Sequence, residues 1–145
     1  MDVLADTNII LRRIHRTHPQ HRQAREAITK YSRPENRVCV TSQILVELWA
    51  VCTRPIENNG LGLTPAQANR IVGRVEASVF RLPDSDNVYA EWRRLVVAHG
   101  VSGKKTHHAR LVAAMSVHGI SHILTFNKDD FARYPAITVL DPTKL

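Results

Sequence analysis

The sequence predicts a three-layer α/β/α sandwich around a mostly parallel sheet, and three observations predict it. Short apolar runs alternate with longer stretches of helical period, and parallel strands need crossover helices between them. The 145 residues suit one compact domain, with enough chain to bury most of its apolar surface. No internal repeat and no Pro-, Gly- or Ser-rich linker divides the chain, so residues 1–145 read as a single domain.

The first run, Val3-Leu4-Ala5, reads as a strand, and a short helix with Ile9, Ile10, Leu11 and Ile14 on one side follows it. A second helix starts at Pro19, which a first turn tolerates, and runs to about Tyr31. Val38-Cys39-Val40 is the next strand, and Thr41 or Ser42 caps a helix carrying Ile44, Leu45, Leu48, Trp49 and Cys52. The stretch from Arg54 to Leu63 holds Pro55, Asn58, Asn59, Gly60 and Gly62 and reads as a loop. Thr64-Pro65-Ala66-Gln67 opens a helix with a Thr cap, Pro at the first helical position and Gln closing a capping box. That helix ends before a strand near Val79-Phe80-Arg81-Leu82. Another spans about Asn87 to His99, with Val88, Trp92, Leu95 and Val96 turned inward, and Gly100 stops it. Thr106 caps a strongly apolar helix from Ala109 to Val117, stopped by Gly119, and Ile123-Leu124-Thr125 and Thr138-Val139-Leu140 are the last strands.

Hydrophobic residues at 43% and charged residues at 23% exclude intrinsic disorder. Two cysteines, Cys39 and Cys52, without C-x-x-C spacing exclude a disulfide scaffold and a structural zinc site. Charged residues interrupt every apolar stretch before the ~18 residues of a membrane span, and the N-terminus lacks the charged start and apolar core of a signal peptide. A reducing cytoplasm and no membrane partner are the expectation. The 20 Lys and Arg outnumber the 13 Asp and Glu, giving a net charge of +7 and a pI near 10.0. The excess is clustered: Arg12, Arg13, Arg16, Arg22, Arg25, Lys30, Arg33 and Arg37 are offset only by Glu26 and Glu35, and Lys104 and Lys105 form a second group beside Gly103. Clustered cations suit a phosphate backbone, while a solvated helix face is the ordinary use of such a run.

In open parallel sheets ligands bind beyond the carboxyl ends of the strands, so the polar residues just after each strand carry the functional reading. After the first strand come Asp6, Thr7 and Asn8; after the second Thr41, Ser42 and, a helical turn or more on, Glu47; after the fourth Thr125, Asn127, Asp129 and Asp130. Carboxylates gathered at one sheet edge raise each other's proton affinity, and a divalent metal relieves that; hard oxygen ligands suit Mg²⁺ or Mn²⁺. Each residue also has an ordinary use: Asp6 as a helix cap, Glu47 as a partly exposed helix residue, Asp129 and Asp130 as caps of a short turn. Glu47 is, however, the only charge between Val38 and Thr53.

Asp6-Thr7-Asn8-Ile9-Ile10 after an N-terminal strand, Glu47 within Thr41-Ser42-Gln43-Ile44-Leu45-Val46-Glu47-Leu48, and Leu124-Thr125-Phe126-Asn127-Lys128-Asp129-Asp130-Phe131 together resemble the PIN-domain ribonucleases, and within them the VapC-type toxins of toxin–antitoxin pairs. The resemblance runs over essentially the whole chain. It implies a Mg²⁺- or Mn²⁺-dependent endoribonuclease, a homodimer, and inhibition by a small antitoxin protein that threads a segment across the acidic pocket. It places Asp6 and Glu47 as metal ligands, with Asp130 in the catalytic set.

One position departs from that pattern. The family opens its late helix with an acidic residue followed by Ala-x-x-x-Ala-Ala; here the stretch is His107-His108-Ala109-Arg110-Leu111-Val112-Ala113-Ala114, with His108 in the acidic place. Asn127 stands where many members carry a fourth Asp. Exchanging a carboxylate for neutral imidazole removes one negative charge, worth about 4 kcal/mol at ~4 Å and an effective dielectric of ~20 before compensation. Imidazole also suits Mn²⁺, Co²⁺, Ni²⁺ or Zn²⁺ better than Mg²⁺. His108 as a ligand for another metal, Asp129 or Asp130 substituting for the missing acid, and lost catalysis are the alternatives, impaired or altered catalysis being the expectation. A PIN-fold protein that binds an antitoxin or RNA without cutting it is therefore the competing function.

Thr7, Asn8, Ser42, Asn127 and Asp129 are candidates to orient the carboxylates or hold metal-bound water. Arg12, Arg13, Lys104 and Lys105 are candidates for the RNA backbone. His15, His18 and His21 recur at spacing three, but no Cys or carboxylate partner accompanies them and a solvated surface is the better reading. A phosphatase of the haloacid dehalogenase type also places an Asp after its first strand, yet needs a second Asp two residues later, where this chain has Asn8. No Gly-x-Gly-x-x-Gly or phosphate-loop motif supports a nucleotide cofactor.

Overall fold

In the computed structural model, which describes residues 1–145, five short strands pair in parallel: β1 (Val3–Ala5), β2 (Val38–Val40), β3 (Phe80–Arg81), β4 (His122–Leu124) and β5 (Thr138–Leu140). The order across the sheet is β3-β2-β1-β4-β5. Val3 lies beside Val38 on one side and His122 on the other, and Leu4 beside Cys39 and Ile123. The central strand is covered on both faces, which is why its three residues read as an unbroken apolar run rather than an alternating one.

Six helices connect and cover the strands: α1 (Thr7–Ile14), α2 (His21–Tyr31), α3 (Ser42–Thr53), α4 (Pro65–Ser78), α5 (Asp86–Ala98) and α6 (Lys105–Val117). Helices α1 to α4 pack among themselves, and α5 packs along α6, giving the two helical layers of a three-layer sandwich. One core of Leu4, Ile9, Ile44, Leu48, Leu111, Met115, Ile123 and Phe131, among others, joins the layers. Cys39 and Cys52 are free and buried in it, and burial pushes the Cys39 thiol up to about 11. No helix is long and apolar enough to cross a membrane.

Local chemistry explains the boundaries. Thr41 accepts the Ile44 amide at the start of α3, and Thr64 and Gln67 close the expected capping box on α4. Two starts differ from the sequence reading. Helix α2 begins at His21 rather than Pro19, because the Gln20 amide donates to Nδ1 of His18 and holds those residues in a turn. Helix α6 begins at Lys105, before the expected Thr106 cap: Gly103 takes a positive φ of 62° and turns the chain into the helix early. Thr106 then lies inside the first turn, with its hydroxyl donating back to the Gly103 carbonyl.

From β1 the chain steps outward through β2 to β3, then returns across the sheet to β4 on the other side of β1. The crevice beyond the carboxyl ends of β1 and β4 is thus the point where the strand order reverses, the place where sheets of this class bind ligands.

Candidate active site

Asp6 stands at that reversal point, the first residue after β1, and only 7% of its surface is exposed. Its own amide donates to the Leu124 carbonyl of β4, so the backbone position is fixed by the sheet. The Thr7 amide donates to Asp6 Oδ1 at 2.7 Å, which makes Asp6 the cap of α1. The Thr125 hydroxyl donates to Oδ2 at 2.8 Å, and Asn8 Nδ2 approaches the same oxygen at 3.3 Å. Burial raises the proton affinity of Asp6, and the negative charge of Glu47 adds to that; the Thr125 and Thr7 hydrogen bonds and the neighbouring His108 pull the other way. The capping role and the acidic-site role are therefore held by one side chain at once.

Glu47 is brought to the same place by α3. The Thr7 hydroxyl donates to Glu47 Oε2 at 2.6 Å while the Thr7 amide holds Asp6, so one residue bridges the two carboxylates. Gln43, one turn earlier on α3, donates from Nε2 to Glu47 Oε1 at 3.0 Å and to the His107 carbonyl at 2.9 Å, which ties α3 to α6. Asn8 closes the other side: its amide nitrogen reaches Thr125 Oγ1 at 3.1 Å and its Oδ1 accepts the Phe126 amide.

His108 and Asp130 complete the mouth. Nε2 of His108 lies 3.6 Å from Asp130 Oδ2, too long for a hydrogen bond, and the ring rests against Phe131 at 5.7 Å between centroids. Nδ1 of His108 is shielded from solvent and has no hydrogen-bond partner. The donor chemistry of Asp6 and Glu47 fits a hard divalent cation: two oxygen donors at a site where burial opposes charge. The side chains do not converge as a three-ligand cluster of His, Cys, Asp or Glu, and the acidic third place is imidazole.

The remaining candidates divide. Thr7 and Asn8 touch the carboxylates, whereas the Ser42 hydroxyl turns away and donates to Asp84. Asn127 takes part through its backbone amide, which donates to Thr125 Oγ1, and Asp129 lies in the short 3-10 turn at Lys128–Phe131 with Asp130. Lys104 and Lys105 open α6, exposed, shortly before His108. Arg12 and Arg13 lie in the last turn of α1, at the end opposite Asp6; Arg12 is engaged with Gln20. His15, His18 and His21 form no metal cluster; His21 is instead hydrogen-bonded to the Arg12 carbonyl. Sequence reasoning named Thr125 after the fourth strand but gave it no role; it is fully buried and hydrogen-bonded to Asp6, Asn8 and Asn127, while Gln43, which orients Glu47, was passed over. A hydroxyl at the end of an apolar strand marked the first; nothing marked the second.

Comparison with known proteins agrees with this fold. The family model described as PIN domain matches residues 3–137. Among solved structures, VapBC-1 of nontypeable Haemophilus influenzae is 16% identical, with a TM-score of 0.72 and 99% of each chain covered. DNA-bound VapBC of Salmonella typhimurium is 19% identical, with a TM-score of 0.70 and 98% of each chain covered. VapC20 of Mycobacterium tuberculosis, a toxin that cleaves the sarcin–ricin loop, is 16% identical with a TM-score of 0.69, over 91% of this chain and 95% of that one. No curated protein sequence matches the chain. With its family model spanning nearly the whole sequence and its paired carboxylates at the sheet's reversal point, the chain belongs to the PIN-domain family.

Proposed function

We propose that this protein is a divalent-metal-dependent endoribonuclease, the toxin of a toxin–antitoxin pair. The observation that carries the reading is the Thr7 bridge, which sets Asp6 and Glu47 side by side at the end of the central strand. Asp6 and Glu47 would hold Mg²⁺ or Mn²⁺, with His108 or Asp130 as the third group. Such an ion activates water and stabilises charge on the phosphorus centre. The chain's own contribution is positioning: Thr125, Asn8 and Gln43 fix the two carboxylates, and Lys104 and Lys105 offer charge to the RNA backbone at the site's edge.

An antitoxin partner is supported by a groove of about 650 Å³ between α1, α2 and α4. Ile10, Ile14, Ile28 and Ile71 contribute apolar surface, and Arg13 and Arg74 supply positive charge at its walls. An amphipathic segment with acidic residues on one side is the complementary shape. A similar solved structure, from Klebsiella pneumoniae, is a toxin–antitoxin complex, which favours the same partner class here. A pair of copies belongs to the same reading, and sedimentation of the purified chain reads it directly.

The test is single-turnover cleavage of total RNA by the chain and by Asp6→Asn, each in Mg²⁺ and in Mn²⁺. Cleavage that disappears in Asp6→Asn supports the reading; no cleavage by the natural chain in any divalent ion removes it. The second reading, a PIN fold that binds without cutting, is favoured by His108 in the acidic place with Nδ1 unpartnered. It expects His108→Asp to cut RNA that the natural sequence leaves intact. Equal cleavage by both forms removes that second reading.

A further inference from the structure

Beside the acidic site lies a cavity of about 500 Å³, walled by the start of α3, the loop from β3 to α5, and α6. Gln43 is the partition: on one side it holds Glu47, and on the other its Oε1 accepts Arg110 Nη1 at 3.3 Å. Whatever fills the cavity is therefore one side chain away from the carboxylates. Two aromatic rings from α5 line it. Tyr89 and Trp92 sit with centroids 5.8 Å apart and planes inclined at 34°, and Tyr89 is 63% exposed, so its ring is open to a ligand. The Trp92 indole N–H is already donated to the Thr106 carbonyl at 2.8 Å, so Trp92 offers only its ring surface. Among the lining residues, Arg110 supplies a cation and Asp84 and Asp86 supply carboxylates.

We propose that this cavity takes an unpaired guanine base of the RNA, next to the bond to be cut. The inference rests on the ribonuclease reading and names a substrate subsite for it. Aromatic rings beside a cation are the means by which single-stranded bases are held, since every base has a face to stack and each nucleotide carries a phosphate. The size admits one nucleotide and not a duplex. Asp84 selects among bases: guanine presents adjacent N1–H and N2–H donors that a carboxylate accepts, whereas uracil presents a single N–H between two carbonyl oxygens. The Ser42 hydroxyl donates to Asp84 and fixes it on the rim, which gives Ser42 a role away from the metal-side carboxylates.

The experiment titrates the chain with 5′-GMP and with 5′-UMP, following the indole N–H resonance of Trp92 in a Trp49→Phe background, where it is the only indole. Saturable shifts with GMP, weakened about tenfold by Tyr89→Ala and restored by Tyr89→Phe, are expected, the loss of one stacking face. Asp84→Asn is expected to erase the preference for GMP over UMP. Absence of saturable binding, or GMP affinity unchanged in Tyr89→Ala, overturns the proposal. A change in sedimentation or in capture of an acidic amphipathic peptide by Tyr89→Ala, with GMP binding intact, overturns it in favour of a protein surface. Binding is read here without cleavage: RNA cutting that persists alongside a failed titration leaves the ribonuclease reading standing and removes only the subsite.

Discussion

The two sides of the acidic site are built to different standards. Around Asp6 every polar atom is engaged: Thr7, Thr125 and Asn8 hold its two oxygens, and Thr7 passes the contact on to Glu47. Around His108 little is fixed: Nε2 stands 3.6 Å from Asp130, Nδ1 has no partner, and both side chains keep about a third of their surface exposed. The Asp6 side hangs on the ends of two paired strands, while the His108 side joins a helix start to a short 3-10 turn. A buried, fully hydrogen-bonded carboxylate is rigid and costly to disturb; a half-exposed imidazole in loose contact is free to be something other than an acid.

The largest effect is expected at the tightly held side. Asp6→Asn should lower RNA cleavage by about 10²–10³-fold, the loss of a preorganised charged group in a shielded site. The same substitution should also remove a pH-dependent part of the stability. The folded-state proton affinity of Asp6 is raised chiefly by burial, so the ionised carboxylate disfavours folding, and stability falls as pH rises through the folded-state pKa. Thermal melts of the two forms, in chelator, should therefore show the difference moving in favour of Asp6→Asn as pH rises from below the carboxylate range to pH 7. A difference that is constant across pH would mean that the charge of Asp6 is not what burial penalises. An effect of Asp130→Asn on cleavage as large as that of Asp6→Asn would erase the contrast between the two sides.

Next in size is Thr7→Val, which keeps the amide on Asp6 and deletes only the hydroxyl on Glu47. Residues that orient a metal-site carboxylate in this way typically contribute 10–100-fold, and a loss of about that size is expected in cleavage, with the melting temperature little changed. Loss of folding instead would show that Thr7 links α1 to α3 mechanically rather than orienting Glu47.

How much of this the sequence disclosed depends on the range of the contact. Asp6, Thr7 and Asn8 were legible because a polar triplet directly after an apolar strand needs only local pattern, and the capping box at Thr64 is equally local. The role of Thr125 was not, because it requires β4 to lie beside β1, 117 to 119 residues away in the contacts it makes. Apolar runs say that strands exist and leave their order open; the return of the chain across the sheet to β4 is a tertiary choice. Gln43 was hidden for the same reason, since its value lies in reaching both Glu47 and the His107 carbonyl 64 residues on. Thr106 misled because a Thr before an apolar helix is the usual cap, and only the left-handed Gly103 shows that the helix has already begun.

That long-range residue supplies a stability test. Thr125→Val preserves shape and leaves Asp6 Oδ2 without its best donor in a buried place. The expected cost is about 1–3 kcal/mol. At roughly 2–4 °C per kcal/mol for a chain of this size, the melting temperature should drop by several degrees. If the melting temperature holds while cleavage falls, Thr125 is tuning the charge of Asp6 rather than supporting the fold.

The smallest effect separates the two basic groups. Lys104 and Lys105 stand exposed at the mouth beside His108, whereas Arg12 is occupied by Gln20 and Arg13 lines the apolar groove. Other members of the early cluster are also committed: Arg22 pairs with Glu26, and Arg37 pairs with Asp2 while lying over the Phe80 ring. RNA affinity, measured on the non-cleaving Asp6→Asn form, should fall with salt. Replacing both lysines by Gln should flatten that dependence by about 1.4 in log–log slope, the release of counterions from two phosphates on a single strand. Replacing Arg12 and Arg13 should flatten it less and weaken capture of an acidic amphipathic peptide instead. The reverse pattern would move the RNA path along α1 and into the groove, and the partner surface would then have to be sought on the other helical layer.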